Sequence, residues 1–556
     1  MRGWLAAYNL NIECLGDYQV NESGCVFFDN ALNKFPADRV LYQTQQTDVF
    51  MDGFVYNKQD FMRTGEEWSQ AFTREATQNL GNLLLKLRGG FCGYAYEKGP
   101  QKVTVFTDHV ANKAIYYYKN QEKWMVSNHL DYMVQVLKAN EESYSFNETA
   151  AKYMLTYGYM MDDSTFVSQI HRVLPGKYVI IENNDIIVNR YYIIPNIEKK
   201  MTEEEAVEKI DTAFREAVRR EFEKDKEYGY KHLVDLSGGL DSRMVSFVAH
   251  ELGYTDQVNM TYSQAGYSDD KISKEIALAL QHEYLFKSLD DAAWMKDVDK
   301  ITSQNNGAAL SLGITGGSRM LELLNTESFG MEHTGMIGDA ILSTFYHDKE
   351  FNDAPPRFGY HRYSERLQYE FEQEMLEDYP CQELFAIYTR GMLGAQSSYI
   401  IRQHYVETDS PFMDVDFLDV VFSLPFEYRN KHHIYLKWML QKYPEATQFG
   451  WEKWGGIKPR EDHIWKRKIK TTQRLIGMAF SKLLGKSSKD SMVPVDYWYD
   501  RDNETRQYYD KYYRDNIDNG VFSKELKNDI HLMFQDGAVM EKSMALTVLA
   551  EAKKYF

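Results

Sequence analysis

The sequence predicts two α/β folds in series, closed by a mostly helical C-terminal tail. Three observations carry this. Up to about residue 195 the chain is built of short β-branched and aromatic runs broken by Gly, Asp and Asn. From about Met201 the apolar period changes from two to that of a helix. Beyond that point short apolar runs alternate with helical stretches, the pattern of a parallel sheet with crossover helices.

The elements follow in order. "GCVFFD", "TDVFMDGFVYN", "GGFCGYAYE", "KVTVFTD" and "AIYYY" read as strands, with a helical pattern between them at Glu66–Leu87. "RVLPGKYVIIENNDIIVNRYYII" reads as a hairpin turning at Asn183–Asp185, and "PNIEKKMTEEE" as a polar linker opened by Pro195. "EEEAVEKIDTAFREAVRREF" then sets Ala206, Ile210, Ala213, Phe214 and Val218 on one helical face. "HLVDL" and "QVNMTYS" are strands, each followed by a helix, after Asp241 and around Lys271–Leu280. The domains expected are 1–195, 201–470 and a helical extension over 471–556 with no clear site.

Length and composition narrow the function classes. A chain of 556 residues implies two or three domains, and 44% hydrophobic with 26% charged residues is ordinary globular usage. A net charge of -18 argues against non-specific nucleic-acid binding. Basic residues do gather at Lys458–Arg474, read as a solvated helix face or a loop over a phosphate ligand. Cys14, Cys25, Cys92 and Cys381 show no metal-like spacing and are expected as reduced thiols. No signal pattern and no run of 18 apolar residues occurs, so a soluble cytoplasmic protein is expected, with no membrane partner.

The most informative stretch is "HLVDLSGGLDSRMVSF", a strand entering a glycine pair and leaving as a helix. Two glycines there let the backbone approach a ligand closely. Successive N–H groups at a helix N-terminus form an anion site, and Ser237 and Ser242 add hydroxyls. Asp241 would repel a phosphate unless a cation such as Mg²⁺ bridged the two. No GxxxxGK[ST] is present, so this is not a Walker loop.

The corner resembles the pyrophosphate loop of the ATP pyrophosphatase superfamily. The rest of the chain resembles the glutamine-hydrolysing asparagine synthetases. "LRGGFCGYAYEKGPQKVTVFTDHVANKAIYYY", "WMVSNHLDYM" and "QIHRVLPGKYVIIENNDIIVNRYY" match that family's glutaminase half. "TGMIGDAILSTFY" stands where the family has "SGEGADELFGGY", and "HYVETDSPFMDVDFLDVVFSLP" where it has "GLE.R.PFLD". The likeness runs in order from Met1 to about Pro459. It implies an αββα sandwich of the Ntn-hydrolase type, then a Rossmann-like synthetase domain. It also implies ATP and Mg²⁺, with a nucleotide site at Ser237, Gly238, Gly239, Leu240, Asp241, Ser242 and Gly335. By the same resemblance Asp241 and Asp339 are the metal-binding acids. Lys453 stabilises charge at the adenylate and Glu407 helps order the carboxylate site, while Lys437 reads as a helix-face residue.

Several positions depart from the family. A working glutaminase begins Met-Cys-Gly and uses the freed cysteine as N-terminal nucleophile; this chain begins "MRGW", and the Arg2 guanidinium cannot attack a carbonyl. Cys14 is internal and lacks the free amine. The family's "NGEIYN" is "DGFVYN", which puts Phe54 where a substrate-binding acid belongs, and Gly65 replaces a second acid. In the synthetase half, Met336 occupies the position of a family Glu, or of the Tyr found in β-lactam synthetases.

The reading is therefore an ATP-dependent, AMP-forming amide ligase with an inactive glutaminase domain. It would join a carboxylate, by default aspartate, to ammonia or an amine. A paralogue acting on a sugar acid, a peptide (as lasso-peptide cyclases do) or a β-lactam precursor stands beside it. Flanking genes separate these. A non-catalytic ATP-binding scaffold is a third reading, recognised by ATP binding without pyrophosphate release. The acid, the nitrogen donor and the assembly, a homodimer among those open to it, are not fixed by sequence.

Overall fold

The computed structural model describes residues 2–21, 24–183, 185–313, 316–460 and 487–556. Most of the basic stretch Lys458–Arg474, and the expected boundary at 470, lie outside the described residues.

The first half contains strands β1 (Trp4–Tyr8), β2 (Gln19–Val20), β3 (Cys25–Asp29), β4 (Val40–Gln43), β5 (Thr47–Gly53) and β6 (Phe91–Glu97). It continues with β7 (Lys102–Thr107), β8 (Tyr116–Asn120), β9 (Lys123–Ser127), β10 (Ile170–Arg172), β11 (Lys177–Glu182) and β12 (Asp185–Arg190). They form two antiparallel sheets, ordered β10-β8-β9-β1-β3-β2 and β12-β11-β7-β6-β5-β4. Strand alternation builds the layers. Trp4 and Ala6 point between the sheets, against Phe27, Phe50, Tyr94 and Val105, whereas Leu5 and Ala7 point outward beneath helix α2 (Leu130–Ala139). Across the other sheet Val49, Met51 and Phe91 meet Trp68, Phe72 and Leu84 of helix α1 (Trp68–Lys86). The result is an α/β/β/α sandwich. The helix expected over Glu66–Leu87 is present but broken at Asn79, whose φ of -164 and ψ of 92 are not helical.

Helix α3 (Glu148–Tyr157) and an irregular segment lead to helix α4 (Glu203–Glu227). Thr202 and Glu205 close a capping box there, and three acids occupy the first turn, where the helix dipole favours negative charge. The second half then builds β13 (Lys231–Asp235), helix α5 (Asp241–Glu251), β14 (Gln257–Ser263), helix α6 (Ser268–Ala279), β15 (Glu283–Ser288), β16 (Phe329–His333) and β17 (Glu407–Asp409). The sheet is parallel throughout, in the order β15-β14-β13-β16-β17. The chain runs outward from β13 on one side, then returns to start β16 on the other. A crevice opens at the carboxyl ends of β13 and β16, where ligands bind in open α/β sheets.

The C-terminal residues are not a separate appendage. Helix Val539–Tyr555 packs on α3 and on helix Val298–Gln304. One core joins Met154 and Leu155 of the first half to Trp294 and Leu312 of the second and to Tyr509, Ile530 and Leu546 of the tail. Among the described residues no helix is long and apolar enough to cross a membrane. None of the four cysteines forms a disulfide; Cys14 is exposed and the others are buried.

Candidate functional site

Two loops meet at the crevice. After β13 the chain turns through Ser237–Leu240 into α5; after β16 it turns through Thr334–Gly338. Their contact is close enough to require glycine. A Cβ on Gly335 would lie 2.3 Å from the Ser242 nitrogen, and one on Gly338 would lie 2.8 Å from Cγ of Asp241. Between those glycines Ile337 holds φ at 52, a conformation that β-branched residues rarely adopt. Backbone strain of this kind collects at ligand-binding turns.

The glycine-loop N–H groups are mostly spent within the loop. Ser237 N–H donates to Ser242 Oγ (3.0 Å), Gly239 N–H to Ser237 Oγ (3.1 Å) and Gly238 N–H to Oδ1 of Asp269 on α6 (2.9 Å). The anion site is therefore narrower than a run of open amides from the serine onward. What stays open is the first turn of α5, capped by Leu240, which has no side-chain acceptor. Ser237, Gly239, Asp241, Ser242 and Gly335 line a cavity of about 600 Å³. Gly238 and Leu240 do not: the first faces Glu452 and Asp269, and the Leu240 side chain enters the core.

The two expected acids come together. Asp339 N–H donates to Asp241 Oδ2 (2.9 Å) and Tyr435 OH to Asp241 Oδ1 (2.8 Å). Burial, and next the Asp339 carboxylate, push Asp241 up to about 8. Two carboxylates held at one corner against their mutual repulsion form an all-oxygen donor set suited to a hard divalent cation. Lys453 is exposed on the short turn Glu452–Trp454, with Nζ 3.7 Å from Asp339 Oδ2. Glu407 is not in this crevice. It is buried in β17 and accepts from Lys113 Nζ (2.9 Å), which also pairs with Asp52 at 3.3 Å, so it faces the sandwich domain. Lys437 pairs with Glu203 and Glu204 on the helix surface.

Other cavity residues escaped the sequence reading. Asp235, at the end of β13, lines the cavity with Tyr262 and Arg402, and the Arg402 guanidinium pairs with both Asp235 (2.8 Å) and the buried Glu332. The charged residue inside "HLVDL" was the available signal for Asp235. Arg402 and Tyr435 sit in unremarkable helical sequence and carried none. The tail, read as having no site, supplies Met492, Val493, Val495 and Met540 to the cavity wall.

In the sandwich domain a pocket beside Arg2 and Asp52 is nearly closed. About 30 Å³ remains among Arg2, Asp52, Lys113, His129, Gln403 and His404, the volume of roughly one water. Phe54 is fully buried and packs edge-on to Phe35. A wider groove of about 500 Å³ beyond Arg2, lined by Asn30, Lys300, Ser303, Gln304, His404 and Tyr405, contains no acid.

Residues 39–192 match a glutamine amidotransferase domain, and residues 209–323 an asparagine synthase domain. The two matches fall in that order on the antiparallel sandwich and on the parallel sheet, the arrangement of an amidotransferase-like domain followed by a synthetase-like one. A curated relative, asparagine synthetase [glutamine-hydrolyzing] 1 of Bacillus subtilis (strain 168), is 25% identical over 219 residues, 39% of this chain and 33% of that one. The match thus spans about a third of the relative's length. Both domain matches and this relative make the chain similar to the asparagine synthetases. Two solved structures are also similar. Glutamine phosphoribosylpyrophosphate amidotransferase from B. subtilis, complexed with ADP and GMP, shows 9% identity over 51% of this chain and 65% of its own, TM-score 0.24. An allosteric regulatory enzyme of purine biosynthesis shows 10% over 42% and 54%, TM-score 0.24. At such scores neither carries an argument.

Proposed function

We propose that the chain is an ATP-dependent, AMP-forming carbon–nitrogen ligase that takes ammonia or an amine directly and hydrolyses no glutamine. The observation that carries this is the meeting of Asp241 and Asp339 beside the open first turn of α5, with Lys453 in reach. A substrate carboxylate oxygen would attack the α-phosphorus of ATP. The bond between that phosphorus and the bridging oxygen breaks, and pyrophosphate leaves. The amine lone pair then attacks the acyl carbon, the nitrogen gives up a proton, and AMP departs with the electrons of the acyl C–O bond. Asp241 and Asp339 would hold Mg²⁺, which supplies charge neutralisation for the departing pyrophosphate. The α5 amides and Lys453 supply fixed positive potential where negative charge develops. Met336 lines the cavity and cannot move a proton, so the amine must arrive unprotonated or lose its proton elsewhere.

Two features support the absence of glutamine hydrolysis: Arg2 in place of a thiol, and a pocket of one water's volume. Aspartate is the default acid. The test is pyrophosphate release with ATP and Mg²⁺, crossing acids with ammonia, glutamine and simple amines. Release that needs a carboxylate and proceeds with ammonia but not with glutamine supports the reading. Release that survives Asp241→Asn removes it. ATP binding with no release across the panel makes the chain a nucleotide-binding scaffold instead.

A further inference from the structure

Next to the nucleotide cavity lies a second one, of about 350 Å³, and the two share Gly313 in their walls. Neighbouring residues also separate them: Ile401 lines one and Arg402 the other. The second cavity is walled by the π-helical turn Ile387–Gly394 and by the segment around His361–Tyr363. Single π-turns are rare and often sit at functional sites. Gly394 is pressed against the Tyr159 ring, where a Cβ would come within 3.1 Å.

Its charge is unusual for a chain of net charge -18. Arg362 and Arg390 both line it, and no acid does. Arg390 has no carboxylate partner among the described residues; its guanidinium meets the His361 ring and lies 5.7 Å from the Phe345 centroid. Arg362 bonds Gln368 (3.0 Å), and its nearest acid is the solvent-exposed Glu365 at 3.5 Å. Two buried atoms on this wall make no hydrogen bond: His361 Nε2 and Ser398 Oγ. Ser398 is only 4% exposed. Buried donors without partners are costly, and a ligand is the ordinary remedy. His361 itself is held at a φ of 57. Burial, then Arg390, lowers it to about 4, so near neutral pH the imidazole adds a neutral donor beside the two cations.

We infer that this cavity is the acid-recognition subsite of the proposed ligase. It binds a second anionic group, carboxylate or phosphate, on the acid whose other carboxylate is activated in the adjoining cavity, across the shared wall at Gly313. The substrate class is thus a dianionic acid, either a dicarboxylate such as aspartate or an acid carrying a phosphate. This rests on the ligase reading for its place in the reaction, but the anion site stands on its own geometry. Arginine supplies the planar donor fork that either anion fits.

The experiment has two arms. In the first, the full chain is assayed for pyrophosphate release on matched pairs: alanine and aspartate, butyrate and succinate, gluconate and 6-phosphogluconate. The dianionic member should be preferred at least tenfold. Arg390→Gln, on an exposed residue, should raise its KM at least tenfold while kcat stays within twofold and ATP affinity is unchanged. Arg362→Gln should do the same. Equal use of the monoanionic members, or an unmoved KM in both variants, overturns the subsite. In the second arm crystals of the full chain are soaked in tungstate, with and without Arg390→Gln. An anomalous peak between the guanidiniums that the variant loses upholds the subsite even where no acid turns over, and the ligase reading alone then falls. No peak in the wild type overturns the subsite whatever the turnover.

Discussion

Asp241 carries opposed demands. Its carboxylate is wanted as a metal ligand, yet burial and Asp339 push it up to about 8. The sign of the linkage follows. The folded state keeps a proton that the unfolded chain sheds near its ordinary value, so this group's contribution is fully present at low pH. It is lost as pH rises through about 8. Without divalent cation, thermal stability should therefore fall from about pH 4 to about pH 8 and level off above it, and Asp241→Asn should flatten that slope while abolishing pyrophosphate release. Melting curves in EDTA across that range check it; an unchanged slope in the variant means that Asp241 is not the group under strain. Serine, glycine and aspartate in "SGGLDS" were legible because each has one plain role at such a corner. Tyr435 was not, since its hydroxyl reaches Asp241 from 194 positions away and nothing local marks it.

At the scale of elements, the site depends on how the loop after β16 lies on the start of α5. Gly335→Ala would drive a methyl into the Ser242 nitrogen at 2.3 Å, a contact that backbone on both sides cannot relieve. The loops should separate, with a stability loss of about 2 kcal/mol or more and ATP affinity reduced at least tenfold. Denaturant titration and nucleotide titration of the same variant measure both. Beneath β13 and β16 a buried network does comparable work: His333 bridges Glu221 (3.1 Å) and Asp225 (2.9 Å), and Asp225 also meets His232 (3.3 Å). His333→Leu takes the imidazole from both acids and leaves Asp225 with His232 and the Met331 N–H (3.0 Å), so a loss of about 3 kcal/mol is expected by equilibrium unfolding. A loss below 1 kcal/mol would show that the acids find other partners. The strands themselves were readable wherever alternation or a β-branched run was present, as in "QVNMTYS", which is β14 end to end. β17, three residues in "ETD", has neither feature and is a strand only because β16 pairs with it.

For the whole molecule the sequence suggested three units, and the packing ties all three stretches together through one core. A tail rich in Tyr and Lys looks solvated in one dimension, because its apolar partners lie some 200 to 400 residues upstream. In space Leu546 is fully buried in a core with Met154 of the first half and Leu312 of the second. Tyr144 OH also donates to the Tyr555 carbonyl (2.8 Å), and Tyr555 OH bonds Asp131 on α2. A core shared by three stretches of chain couples their unfolding, because none can leave without exposing the other two. Calorimetry should therefore show one transition. Leu546→Ala removes buried methyls and leaves a cavity, costing about 2–5 kcal/mol. That cost should appear in the sandwich as well as in the parallel sheet. Hydrogen exchange read by mass spectrometry separates the outcomes. Protection lost together in β6 and β13 means one cooperative unit, whereas loss confined to the tail means that the helices are a late addition to two halves able to stand alone. The first result would also explain how a sandwich with a closed pocket earns retention: through α3, it forms part of the core on which the cavity-lining residues Val495 and Met540 rest.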